Sequence, residues 1–271
     1  MSREIQRADI TKKRVVYQTA VADAVTIRRE VEYSATEDAD VLTMDLYYPL
    51  DSTAGAPAIV FVVGYPDPGF QKALGCKQKE MASYISWAQL AAASGMVAIT
   101  YTNREPAADL HALLQYVRRN AAALGVDERR IGVWACSGNV PMALSVLMQD
   151  PADYLKCAVL CYGFMLDLDG STGVADAARQ YGFVNPCAGK TVDDLPRGIP
   201  LFIVRAGQDH FPHLNESIDR FLVKALTHNM PIKLTNHANG PHAFDVLDDS
   251  DASREIIKEI LAFMRFHLLP A

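Results

Sequence analysis

Three residues far apart in the chain, Ser137, Asp209 and His242, are of the types that together perform acyl transfer. A serine hydroxyl is a poor nucleophile at neutral pH, so a base must take its proton, and a third group must orient that base and stabilise its charged form. Ser137 lies in the run Ala135-Cys136-Ser137-Gly138-Asn139. Bulky, strand-like residues, Ile131 to Trp134, precede it, and an apolar segment that reads as a helix, Val140 to Met148, follows. A strand that turns at once into a helix exposes the turn residue and aims the neighbouring N–H groups at one point, where an oxyanion would form. The signature of such an elbow is G-x-S-x-G; here Ala135 and Asn139 replace both glycines.

The elements that must position these groups follow a rhythm. Val25 to Tyr33 and Val41 to Tyr48 read as two strands, separated by polar turn residues at Ala35 to Asp40, that form an antiparallel edge. Asp51 to Ala56 reads as a loop. Pro57 to Val63 is an apolar, β-branched run expected of a strand covered on both faces, and it stops at Gly64-Tyr65-Pro66-Asp67-Pro68-Gly69. Ala82 to Ser94 reads as a helix closed by Gly95, and Met96 to Thr102 as a buried strand. Pro106 opens a helix whose stripe, Leu110, Leu113, Leu114, Val117, Ala121 and Leu124, runs to Gly125. Beyond the elbow, Cys157 to Tyr162, Pro200 to Val204 and Ile232 to Thr235 read as strands, and Leu214 to Leu226 and Ser250 to Leu268 as helices. Residues 165–197 show no strong period. The alternation predicts a single α/β domain over 1–271: a mostly parallel central sheet, helices on both faces, and a small lid-like insertion at 165–197.

In open α/β sheets, ligands gather at the carboxyl ends of the strands. Those ends deliver Gly64 and Tyr65, then Ser137, then Gly207-Gln208-Asp209-His210, then His237 and Gly240-Pro241-His242-Ala243-Phe244. His242 is the candidate base, Asp209 its orienting acid, and the N–H groups of Gly138 and Tyr65 the candidate oxyanion donors. Alternatives remain: Cys136 beside Ser137 as nucleophile, His210 or His237 as base, Asp245 or Asp248 as acid, and Ser137 as a plain turn serine. Core packing is the default for each aromatic residue, although some of Tyr65, Phe70, Phe164, Phe183 and Phe211 are expected to wall a pocket.

Here the chain resembles the α/β-hydrolase family, in particular its esterase and dienelactone-hydrolase-like members. The resemblance covers nearly the whole chain. It rests on Leu46-Tyr47-Tyr48-Pro49, Trp87-Ala88-Gln89-Leu90-Ala91, Leu124-Gly125-Val126-Asp127-Glu128-Arg129-Arg130-Ile131-Gly132, and the G-x-D and G-x-H-x-F settings of Asp209 and His242. The family's H-G-G or H-G-x-G loop is Val63-Gly64-Tyr65 here, without the histidine. Some dienelactone hydrolases carry cysteine at the elbow; counted from Arg130-Ile131-Gly132, the elbow centre falls on Ser137 and Cys136 takes the variable place. The resemblance implies cleavage of carboxylic esters of small to medium acyl chain, with no cofactor and no metal. A dienelactone hydrolase or peptidase-like acyl hydrolase is the alternative enzyme, and a non-catalytic small-molecule binding protein the alternative of another class.

Composition agrees with a globular enzyme. Half of the 271 residues are hydrophobic and 21% are charged, with a net charge of −6 that argues against nucleic acid and anionic membranes as partners. No apolar run approaches the ~18 residues of a membrane span. Met1 to Arg7 is charged and does not read as a secretory signal. Five scattered cysteines, with Cys157 and Cys161 in an apolar strand pattern, read as reduced thiols of a cytoplasmic protein. A small-molecule ester is the expected partner, and self-association into a homo-oligomer stays open.

Overall fold

The computed structural model describes residues 10–34, 41–51, 55–149 and 153–269. The turn read at Ala35 to Asp40, the middle of the loop read at Asp51 to Ala56, and the charged start Met1 to Arg7 lie outside the described residues. Among the described residues, no helix is long and apolar enough to cross a membrane.

Eight strands form one sheet: β1 (Thr26–Ser34), β2 (Leu42–Tyr48), β3 (Ala56–Phe61), β4 (Val97–Tyr101), β5 (Val126–Cys136), β6 (Leu155–Cys161), β7 (Leu201–Ala206) and β8 (Ile232–His237). Their order is β1-β2-β4-β3-β5-β6-β7-β8. β2 runs antiparallel to both of its neighbours, and from β4 to β8 every pairing is parallel. Every residue of β3 and β4 is buried, which is why these strands are unbroken apolar runs rather than alternating ones. β8 leaves Lys233, Leu234 and Asn236 exposed, as an edge strand can.

Four elements depart from the sequence reading. Asp67–Leu74 is a helix, although its start reads as a chain of breakers. Pro68 stands in its first turn, where a missing N–H costs no hydrogen bond. The stripe from Pro106 is two helices, Pro106–Arg119 and Ala121–Leu124, meeting at Asn120. β5 starts at Val126, opposite Ala56, so the charged run Asp127 to Arg130 lies inside a strand. The segment 165–197 holds a helix, Gly173–Tyr181, that buries Gly173, Val174 and Ala177.

The parallel pairing sends the ends of β3, β5, β6, β7 and β8 to one edge. Strands lie ~4.8 Å apart, so β8 is about 15 Å from β5 at that edge. A residue meant to touch the end of β5 from β8 must therefore stand on a loop that folds back.

Candidate active site

Cys136 ends β5 in extended backbone, and Ser137 follows with φ +55° at the head of a short 3₁₀ turn that runs into the helix Val140–Leu147. A left-handed conformation at a non-glycine residue is costly and survives only where the surroundings impose it. Here the imposition is tight. A Cβ on Gly138 would lie 2.5 Å from Tyr65 Oη and 2.7 Å from the Phe183 ring, so only glycine fits beside the serine.

His242 stands on the loop that returns from β8. Its Nε2 lies 2.9 Å from Ser137 Oγ, and its Nδ1 lies 2.6 Å from Asp209 Oδ2. The Asp209 carboxylate can only accept, so Nδ1 carries the proton and Nε2 is left to accept from the Ser137 hydroxyl. The Asp209 side chain has no exposed surface, and its other oxygen accepts the Phe211 N–H at 2.9 Å. The Tyr162 and Phe211 rings sit 5.0 and 4.5 Å from the imidazole and wall it on two sides. At the foot of this loop, a Cβ on Gly207 would collide with the Ala238 carbonyl, so glycine in the G-x-D motif lets the β7 and β8 loops touch.

The structure thus brings together Ser137, Asp209 and His242, and it separates their rivals. His237 is buried five residues earlier, against Ser253 and Asp248. His210 is exposed. Asp245 is buried between the Trp87 indole N–H and the Tyr162 hydroxyl, each 2.6 Å away, and burial raises its pKa. Burial also pushes the Cys136 thiol up to about 12, which leaves essentially no thiolate at neutral pH. Cys157 and Cys161 are buried in β6, as core residues are.

Gly138 follows the serine directly, and Tyr65 stands beside it, its hydroxyl 2.5 Å from where a Cβ on Gly138 would lie. Asn139 does what its motif gives no hint of. Its Oδ1 accepts the Gly64 N–H at 2.7 Å and its Nδ2 donates to Tyr84 Oη at 2.7 Å. It thereby ties the elbow to the loop that carries Tyr65. Asn103 holds the other side of that loop: its Nδ2 donates to the Tyr65 carbonyl at 3.1 Å, and its own N–H reaches Asp67 at 2.8 Å. Neither role is visible in a sequence motif, because each depends on which backbone atoms the fold leaves over.

Ser137 lies between two hollows. An inner cavity of about 330 Å³ runs beneath it among Tyr84, Trp87, Trp134 and Asp245. An outer groove of about 440 Å³ runs over Gly69, Ala73, Phe164, Tyr181 and Gly182. Tyr65, Phe70 and Phe211 border both. Of the five aromatic residues expected at a pocket, Phe183 alone lines neither; it stacks on Phe164 at 5.3 Å.

Sheet order, elbow and returning histidine loop together make this an α/β-hydrolase fold. Solved structures of that fold overlay the chain almost end to end. A native esterase of the Planctomycetes species Thermogutta terrifontis matches with TM-score 0.67 at 20% identity, over 97% of this chain and 99% of that one. A bacterial heroin esterase matches with TM-score 0.71 at 14% identity, over 94% and 88%. A double mutant of the esterase rPPE matches with TM-score 0.71 at 14% identity, over 100% and 91%. The Thermogutta esterase has also been solved with propionate bound, with butyrate bound, and phosphonylated by sarin. No protein-family model matches the sequence, and no curated protein does.

Proposed function

We propose that this protein hydrolyses carboxylic esters of small to medium acyl chain through an acyl-enzyme on Ser137. The observation that carries the reading is the unbroken hydrogen-bond chain from Ser137 through His242 to Asp209 at the mouth of a cavity. His242 takes the hydroxyl proton as Oγ attacks the ester carbonyl, and Asp209 stabilises the imidazolium that results. The carbonyl oxygen becomes an oxyanion held by the Gly138 amide and by Tyr65. As that intermediate collapses, the C–O bond to the alcohol breaks and His242 gives its proton to the departing oxygen. Water, deprotonated by His242, then attacks the acyl carbon and releases the acid and Ser137. No metal or cofactor is needed for these steps.

The inner cavity supports the size preference. At ~30 Å³ per chain atom, 330 Å³ takes about ten atoms, a fit for a small to medium acyl group. The esterase neighbours, one of them with propionate and butyrate bound, support the reaction class. Residues 165–197 serve as a small lid of a single domain, since their helix borders the outer groove at Tyr181.

A fluorophosphonate probe tests the serine, and p-nitrophenyl acetate, butyrate and palmitate test the chain length. The wild type is expected to label and Ser137→Ala is not, with butyrate turned over faster than palmitate. Palmitate as the fastest substrate overturns the size preference. An unlabelled protein that turns over none of the three is a binding protein, not a hydrolase.

A further inference from the structure

Tyr65 brings a side chain to a loop position where the family's H-G-G pattern has only glycine. A Cβ on Gly138 would lie 2.5 Å from Tyr65 Oη. A Cβ stands about 2.5 Å from the nitrogen of its own residue, so Oη lies within about 5 Å of the Gly138 nitrogen. Two donors that share one oxygen, each about 2.9 Å from it and spread tetrahedrally around it, stand about 5 Å apart. The Tyr65 hydroxyl and the Gly138 N–H therefore suit a single oxyanion. Glycine at 138 is what admits the hydroxyl, since any side chain there would take its place.

The hydroxyl is braced. The Tyr65 ring meets Phe70 at 5.7 Å and Phe183 at 5.9 Å between centroids. The backbone beneath it is pinned at three atoms. The Tyr65 carbonyl accepts from Asn103 Nδ2 at 3.1 Å, the Gly64 N–H donates to Asn139 Oδ1 at 2.7 Å, and the Gly64 carbonyl accepts the Val184 N–H at 2.8 Å. A donor fixed beforehand costs no reorganisation as charge develops on the substrate.

The hydroxyl is also uncommitted. Among the described residues it has no hydrogen-bond partner, yet it is not one of the enclosed polar atoms that lack one, so it keeps open surface. Tyr65 and Ser137 border the same two hollows. Burial foremost, with Cys136 and Tyr181 adding to it, raises the phenol pKa, so the oxygen keeps its proton and donates. The amide and the hydroxyl of one tyrosine stand at opposite ends of the residue, too far apart to hold one oxygen together.

We propose that Tyr65 serves the oxyanion through its side-chain hydroxyl, as the second donor beside the Gly138 N–H, and not through its amide. The inference rests on the ester-hydrolase reading. As Ser137 Oγ bonds to the ester carbon, the carbonyl π pair moves onto oxygen, and the hydroxyl donates to that oxygen without giving up its proton. It does the same when water attacks the acyl-enzyme.

Tyr65→Phe removes the hydroxyl and keeps both the ring and the amide. With p-nitrophenyl butyrate, kcat is expected to fall about 10²-fold or more while KM stays within about twofold, because the bond is made only in the transition state. Tm is expected to match the wild type, because the hydroxyl holds no other group. A kcat within about threefold of the wild type overturns the proposal and returns the role to the amide, which the variant keeps. A loss carried by KM alone also overturns it, since the hydroxyl then binds the substrate before reaction and not the oxyanion. So does a loss of kcat in a variant whose Tm falls, since the hydroxyl then holds the fold. A wild type that neither turns over the ester nor takes a fluorophosphonate label at Ser137 overturns the hydrolase reading, and this inference with it.

Discussion

Asn139 stands where a glycine closes the elbow signature, and its side chain fills the space with two short hydrogen bonds, one to the loop bearing Tyr65. Asn139→Ala leaves a buried Gly64 N–H without its acceptor. The expected cost is about 1–3 kcal/mol in urea unfolding. The drift of Tyr65 should lower kcat for butyrate by roughly 10²-fold, the scale of one lost oxyanion donor. Unchanged kcat would mean that Tyr65 does not serve the oxyanion. The neighbouring thiol makes the opposite case. Burial raises the Cys136 pKa to about 12, so it is protonated under assay conditions. Cys136→Ala is expected to keep both probe labelling and ester turnover, and loss of labelling would move the nucleophile to Cys136.

At the scale of elements, the β8 loop has the longest reach, and the structure braces it behind the imidazole. His237 Nε2 lies 2.9 Å from Ser253 Oγ and 3.1 Å from Asp248, and Ser250 and Ser253 both donate to the Asp248 carboxylate at 2.7 Å. Those bonds, Ser250's foremost, hold the Asp248 pKa below the ordinary carboxylate value. A depressed carboxylate pKa adds stability that is present above the unfolded value of ~3.9 and is lost as pH falls through the folded one. Asp248→Asn should therefore lower Tm at neutral pH and flatten its decline in acid, as thermal melts from pH 2 to 7 would register. An acid limb as steep as the wild type's would assign the decline to other groups. The strands and the returning loop were legible in the sequence because apolar runs, glycines and the order Ser137, Asp209, His242 are local signals. The helix Asp67–Leu74 was not, since Pro66, Pro68 and Gly69 suit a loop as well as a first turn. The charged start of β5 was not either: Asp127 and Arg130 pair with each other at 2.6 Å and expose their neighbours, which imitates a loop. Asn139 and Asn103 escaped for a different reason, because their importance lies in which backbone atoms the fold leaves for them to hold, a property of the fold alone.

Across the whole molecule, one buried ion cluster joins the antiparallel edge of the sheet to the cavity beneath the serine. Lys79 is 3% exposed and sits in the turn beside Gln78; it pairs with Asp45 of β2, 5% exposed, and with Glu30 of β1. Asp45 also accepts the N–H of Glu30, whose φ of +54° marks a bulge in β1. So few side chains hold so long a connection that its loss should be felt at both ends. Losing one partner of a buried pair typically costs about 3–5 kcal/mol, more than the pair itself contributes over an apolar substitute; here the half-exposed Arg29 guanidinium, 3.6 Å from Asp45, still faces the carboxylate and sets the cost at the low end. Lys79→Met is thus expected to lose that amount in urea unfolding, and Lys79→Met with Asp45→Asn to recover most of it, because the stranded charge is then gone. A double variant no more stable than Lys79→Met would show that the direct bond, and not the isolated charge, carries the energy.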